Sequence, residues 1–273
     1  MSSMTKKKIY FAIVLSFIIV MFAGCKKSED KDYNPNSNVE LGAYQDMEVL
    51  VEKSTITEAN IQSYIERMIE KYAPEGSSIS YETLTDEFVK THMQETGYAS
   101  VKELKESVSD YLNSTNDYYA NNNTRVAIQE KLLEICTVKE LSNSLLDERV
   151  EQYIRIFKST CKKQYGMEFD AYLTSYEMTE EAFKTQVENA MNESLKIELI
   201  LMEIGKKENL QIKDSEYQEF LKQMMGDYNY ESEEAIYNDY GKDYLEDSFY
   251  CDKVMEMLLE NVKVTYVAPG ELP

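Results

Sequence analysis

MTEEAFKTQVENAMNESLKIELILMEIGKKENLQIKDSEYQEFL, residues 178–221, carries the pattern from which the fold is read. Thr179 offers a hydroxyl suited to an N-cap, and Phe183, Val187, Met191, Leu195 and Leu199 then recur every four residues toward Lys207. That recurrence puts the apolar residues on one stripe of a helix, a stripe that has to be buried against neighbouring elements. Asp214 and Ser232 read as two further N-caps.

The same period extends to both sides. Asn143 to Tyr165 places Leu146, Val150, Tyr153, Ile154, Phe157 and Cys161 on one face before Gly166 stops it. Ser100 and Glu103 form a capping box that opens a helix through Leu104, Val108 and Leu112, one that can run past Asn121-Asn122-Asn123 to Leu132 and Leu133. Thr57 caps another, through Ile61, Ile65 and Ile69 to Tyr72, and a last helix runs from about Lys242 to Leu259. No proline stands between Pro74 and Pro269, and only six glycines do, a composition that long helices require. Met47 to Val51 and Val262 to Val267 read as short strands. The expected fold is mostly α, an elongated multi-helix body over residues 41–267 with one or two short strands and a tail at 268–273.

The N-terminus has a different character. Lys6, Lys7 and Lys8 precede an apolar run from Ile9 to Phe22, and Ala23-Gly24-Cys25 follows. A basic end, a short apolar run and small residues before a cysteine are the marks of a bacterial lipoprotein leader, residues 1–24, with Cys25 as the lipid-carrying residue after cleavage. Residues 25–40 are polar and charged and read as a tether. The expected location is the extracytoplasmic face of the cell membrane, held by lipid on Cys25.

Without the leader the 29 basic residues fall to 26 against 50 acids, a formal charge of −24. Such a body repels nucleic acid and anionic headgroups alike, so no nucleic-acid partner is expected, and basic clients are favoured. Cys136, Cys161 and Cys251 stand alone inside apolar helical patterns, which makes them small core residues and not a disulfide framework. His92 is the single histidine and has no second soft ligand nearby in sequence, so no metal site is expected. Glu180-Glu181 and Glu233-Glu234 fall in first turns of helices, where carboxylates meet the helix dipole. Asn113-Ser114-Thr115 fits a glycosylation sequon in form only. No catalytic constellation is legible, and no cofactor is called for. What remains is composition: 22 tyrosines, 14 methionines and no tryptophan, an adaptable set of surfaces. Met224, Met225 and Tyr228 cluster at a helix end and are the candidate client-binding residues.

From Leu41 onward the chain resembles the trigger factor family, and the resemblance lies in the order of its segments. LGAYQDMEVLVEKSTITEANIQSYIERMIEKYA (41–73) is similar to the family's linker strand and following helix. PEGSSIS (74–80) stands where the family inserts its isomerase domain. LTDEFVKTHMQETGYASVKELKESVSDYL (84–112), NTRVAIQEKLLEIC (123–136), SNSLLDERVEQYI (142–154), residues 178–221 and VMEMLLENVKV (254–264) then follow the family in sequence. The ribosome-docking loop and the isomerase pocket have no counterpart, so neither a ribosome partner nor prolyl isomerase activity is expected and the chain is read as no enzyme. The resemblance implies a trigger factor C-terminal/SurA-like fold, a helical cradle that holds unfolded or nascent exported polypeptides without ATP. The alternative is a binding lipoprotein dedicated to one envelope partner or to a surface complex.

Overall fold

The computed structural model describes residues 38–272, so the expected leader, Cys25 and most of the tether lie outside the described residues. In chain order the elements are β1 (Val39–Glu40), β2 (Glu48–Glu52), α1 (Glu58–Tyr72), α2 (Asp86–His92), α3 (Val101–Ile135), β3 (Thr137–Val138), α4 (Asn143–Tyr165), α5 (Phe169–Ser175), α6 (Glu180–Lys207), α7 (Asp214–Tyr228), α8 (Glu233–Tyr240), α9 (Lys242–Asn261) and β4 (Lys263–Val267). The fold is mostly α, as the periodicity predicts. No helix among the described residues is long and apolar enough to cross a membrane.

The caps explain most of the boundaries. The hydroxyls of Thr85, Ser142, Thr179 and Ser232 each accept a hydrogen bond from the backbone N–H three residues on. Ser100 Oγ accepts from Glu103 N–H at 3.1 Å, and the Glu103 carboxylate reaches back to the Ala99 N–H at 2.8 Å. Asp214 does not cap: it is the first helical residue of α7, and Glu216 accepts from the Lys213 N–H at 3.0 Å instead. A carboxylate at the first helical position still meets the helix dipole favourably, so the residue type is right and its place is shifted by one. α3 runs unbroken through Asn121–Asn123 for 35 residues. Its polar side chains turn back onto the helix, Asn113 Nδ2 donating to Ser109 O and Thr124 Oγ1 to Ala120 O, so they do not compete with the helix by opening a turn.

Where one body was expected over 41–267, the contacts divide the chain into two compact units, with the division falling inside α3 after Ile128. The second unit, residues 48–128 and 263–272, folds around Ile65 and Ile69 of α1, Phe88 and Val89 of α2, Met93, and Leu104 and Val108 of α3. In it β2 and β4 pair in parallel, Glu48 opposite Lys263 through Glu52 opposite Val267.

The first unit, residues 38–47 and 129–262, is built on α6. Near its middle five consecutive residues, Ile197 to Leu201, are all buried, with Ile204 and Gly205 beyond them. A helix buried all round needs partners on every side, and α4, α9 and the β1–β3 pair supply them. Each fully buried Leu or Ile there contributes roughly 1.5–3 kcal/mol. At its N-terminal half α6 gives Phe183, Val187 and Met191 to a cluster centred on Phe157, whose ring lies 5.0 Å from that of Phe183 and 5.1 Å from that of Tyr172. At its C-terminal end Gly205 lets α9 approach closely: a Cβ there would lie 2.5 Å from Tyr250 Oη and 2.7 Å from Val254 Cγ2. Val39 and Glu40, expected in the tether, instead form β1, antiparallel to Thr137–Val138 of β3. Val39 and Val138 pack on Leu145, Leu195 and Leu199, an apolar contact that draws the two residues out of the polar segment.

One charged pair lies inside this packing. Arg149 of α4 and Glu198 of α6 are each only 2% exposed, with Nη2 and Oε1 3.5 Å apart. Arg149 Nη1 also donates to Gln152 Oε1 at 3.4 Å, and its guanidinium lies 5.9 Å from the centre of the Tyr244 ring. Removing one member of such a pair leaves a buried charge uncompensated, whereas replacing both by apolar residues removes the penalty. Glu198→Leu alone is expected to cost about 3–5 kcal/mol in urea unfolding, and Arg149→Met added to it is expected to restore most of the loss. Equal stability of the single and double variants would show that the pair carries no such weight.

Candidate functional site

The sequence-derived candidates fall at the end of α7, and the structure separates their surroundings. Met224 and Met225 are half-buried against Leu221, Ile236, Tyr244 and Leu245, so much of their surface belongs to the interior. Tyr228 is 44% exposed and lines a cleft of about 220 Å³. One wall is the α4 face with Arg155, Ile156, Ser159 and Thr160; the other is the turn from α7 into α8 and the end of α8.

Local chemistry shapes that turn. Asn229 takes the left-handed conformation at φ 56° and ends α7, with its N–H bonded to Met225 O. The Tyr230 N–H donates to the same carbonyl at 3.1 Å, and Ser232 then caps α8. Tyr230 folds over so that its hydroxyl donates to Asp239 Oδ2 at 2.8 Å, its ring 6.2 Å from that of Tyr240. Gln152 of α4 donates to the Tyr240 carbonyl at 2.5 Å and fastens the end of α8 to the opposite wall. A neighbouring cavity of about 530 Å³ shares Arg155 and Tyr240 and continues along α4 to Glu148.

The electrostatics suit binding better than reaction. Burial, then the hydrogen bond to Asp239, raises the Tyr230 phenol above its ordinary range, and burial raises Tyr240 as well. Both hydroxyls therefore stay neutral near pH 7, present donors and acceptors, and are no use as bases. Tyr240 and Arg155 are not singled out in the sequence, although the spacing of tyrosines at 228, 230, 237 and 240 around the turn residue Asn229 carries a signal for the first of them.

Other candidates stay apart. His92 is exposed at the end of α2, its ring 4.8 Å from that of Phe88. Glu180 and Glu181 occupy the first turn of α6, Glu180 paired with Lys158 at 3.1 Å, and Glu233 and Glu234 occupy the first turn of α8. Among the described residues no group of three or more His, Cys, Asp or Glu side chains could hold a metal ion. On α3, Tyr111, Tyr118 and Tyr119 are exposed, a second aromatic surface that the helical period did not distinguish from core.

Residues 100–260, more than half of the chain, match the family model of the bacterial trigger factor C-terminus. The chain belongs to the trigger factor family. It is 25% identical over 244 residues to the trigger factor of Caldicellulosiruptor saccharolyticus, an alignment covering 88% of this chain and 51% of that protein. To the trigger factor of Exiguobacterium sibiricum it is 27% identical over 183 residues, covering 66% of this chain and 42% of that one. It thus spans about half the length of the trigger factors it matches. The matched region takes in α4, α7 and α8, so the tyrosine-lined cleft lies within the trigger factor C-terminal segment.

The three cysteines among the described residues are buried and form no disulfide with one another. Burial pushes the Cys161 thiol from about 9 up to about 11. Only the thiolate attacks an alkylating agent, so at pH 8 the folded chain is expected to leave Cys161 unmodified by iodoacetamide until urea opens it. The folded state holds this proton more tightly than the unfolded one, so its contribution to stability is complete below pH 9 and is lost as the pH rises toward 11. Rapid alkylation of Cys161 in the native chain would contradict that placement.

Proposed function

We propose that this chain is an ATP-independent holdase for unfolded exported polypeptides, anchored to the extracytoplasmic face of the membrane by lipid on Cys25. The match of residues 100–260 to the trigger factor C-terminus is the observation that carries the chaperone part. The cleft supports it: a tyrosine-lined surface with asparagines, two aspartates and one arginine offers many shallow contacts. Shallow contacts give weak affinity and fast release, which is what a chaperone without nucleotide needs.

Three further features shape the proposal. The leader pattern ending at Cys25 supports export and anchoring. A formal charge of −24 on the body keeps it soluble and disfavours an anionic membrane surface, which leaves the lipid as the means of attachment. Only residues 74–80 stand where the isomerase domain of the resembled family would be inserted, so the proposed activity is holding alone.

The test is suppression of aggregation of several unrelated denatured proteins by residues 26–273 at varied salt. Protection of all of them supports the holdase, and protection that falls with salt assigns part of it to the acidic surface. Protection of none supports a lipoprotein dedicated to a single envelope partner. Replacing Met224, Met225 and Tyr228 together by Ser is expected to raise the amount needed for half protection about two- to fivefold, since each shallow contact is worth at most about 1 kcal/mol. No change would remove these three from the binding surface. Mass spectrometry of the membrane-bound protein is expected to find an N-terminal peptide that begins at Cys25 and carries lipid; a chain still beginning at Met1 would refute the anchor.

A further inference from the structure

Among the described residues the parallel pair β2–β4 is a sheet of two strands, so each strand has one edge without a neighbouring strand. In a parallel ladder alternate residues turn both backbone groups toward the partner strand. The Lys53 N–H donates to Val267 O at 3.0 Å, and this fixes the phase: Lys263, Thr265 and Val267 face β2, while Val264 and Tyr266 turn their N–H and C=O groups the other way. Among the described residues no partner meets those four groups.

The sheet is also unfinished on its apolar face. Register partners in a parallel pair share a face, so Val49, Val51, Val264 and Tyr266 lie together, opposite Glu48, Leu50, Lys263 and Thr265. Burial falls steeply across it: Val51 is 2% exposed, whereas its partner Tyr266, one strand further out, is 48% exposed. At the C-terminal ends of the strands a groove of about 410 Å³, lined by Tyr266, Val267, Asn113, Asn116 and Asp117, lies open beside the same tyrosine.

We infer that the free edge of β4 is a docking site for an extended segment of an unfolded, non-acidic polypeptide, which adds as a third strand through the backbone of Val264 and Tyr266 and covers the Tyr266 ring. Main-chain hydrogen bonds supply affinity without regard to sequence, and the open apolar face favours a side chain at alternate positions. A second copy of this chain is the poorer occupant, because two bodies of formal charge −24 repel each other. The inference rests on the holdase reading for its choice of occupant, and it gives that reading a site outside the tyrosine-lined cleft.

The experiment uses the full-length chain in lipid nanodiscs and a short uncharged peptide of alternating Thr and Val, with a copy N-methylated at alternate residues to block one edge. The plain peptide is expected to bind about tenfold more tightly than the methylated one, the worth of about two net hydrogen bonds. Hydrogen exchange at the Val264 and Tyr266 amides is expected to slow on binding. Val264→Pro removes only an outward N–H, which an edge strand tolerates, and is expected to weaken plain-peptide binding by a similar factor without altering the unfolding curve. Equal binding of the two peptides, binding of neither, or unchanged exchange at both amides overturns the inference. So does protection of these amides that is present without peptide and is lost on dilution, which would assign the edge to a second copy. If aggregation is still suppressed while the peptides bind equally, the edge fails and the holdase stands; if suppression is absent while the peptides differ, the holdase fails and the edge stands.

Discussion

Burial of the Ile197–Leu201 stretch of α6 on all sides is the constraint on which the first unit depends. A helix with Ile197 to Leu201 all inside cannot be finished by one neighbour, and this is why α4, α9 and the small β1–β3 pair converge on it. The single charge in that run, Glu198, fixes the lateral position of α4 through Arg149, because a buried carboxylate tolerates few alternatives to its partner. Gly205 sets the approach of α9 from the other side. With these contacts made, the outer face of α4 and the α7–α8 turn are held by a rigid scaffold, and the cleft between them keeps its width through the bond from Gln152 to the Tyr240 carbonyl.

The aromatic surface left outside is almost wholly tyrosine. Tyr111, Tyr118, Tyr119, Tyr228 and Tyr266 are exposed, and the chain contains no tryptophan. A phenol ring buries apolar area while its hydroxyl remains content in water, so such a surface can stay exposed without self-association and can still cover an apolar segment of another chain. The large negative charge works in the same direction by holding copies apart. Weak, adaptable contact is the physical content of the proposed holdase, and it needs neither a cofactor nor a deep pocket.

The periodic parts of the fold were legible. The stripe Phe183, Val187, Met191, Leu195, Leu199 is the buried side of α6, and the hydroxyl caps at 100, 179 and 232 stand where expected, because caps and stripes are local. β1 was illegible: two residues have no period, and Val39 belongs to a strand only because Val138, Leu195 and Leu199 come together beside it. The division within α3 was also hidden, since a continuous helical pattern does not announce which core each stretch serves. At the cleft, Tyr228 was reached from the clustering near a helix end, whereas Arg155 enters from a distant helix and no reading of local spacing could join the two. Met224 and Met225 illustrate the converse, for proximity in sequence does not distinguish a side chain turned toward Leu221 and Leu245 from one turned toward solvent.

The most direct measurement of the central claim is photocrosslinking in the cell, with a photoreactive amino acid in place of Tyr228 and, separately, of Tyr118, and the captured chains identified by mass spectrometry. The account predicts many unrelated exported polypeptides at both positions, caught early in their folding. A single folded envelope protein captured at both would contradict it.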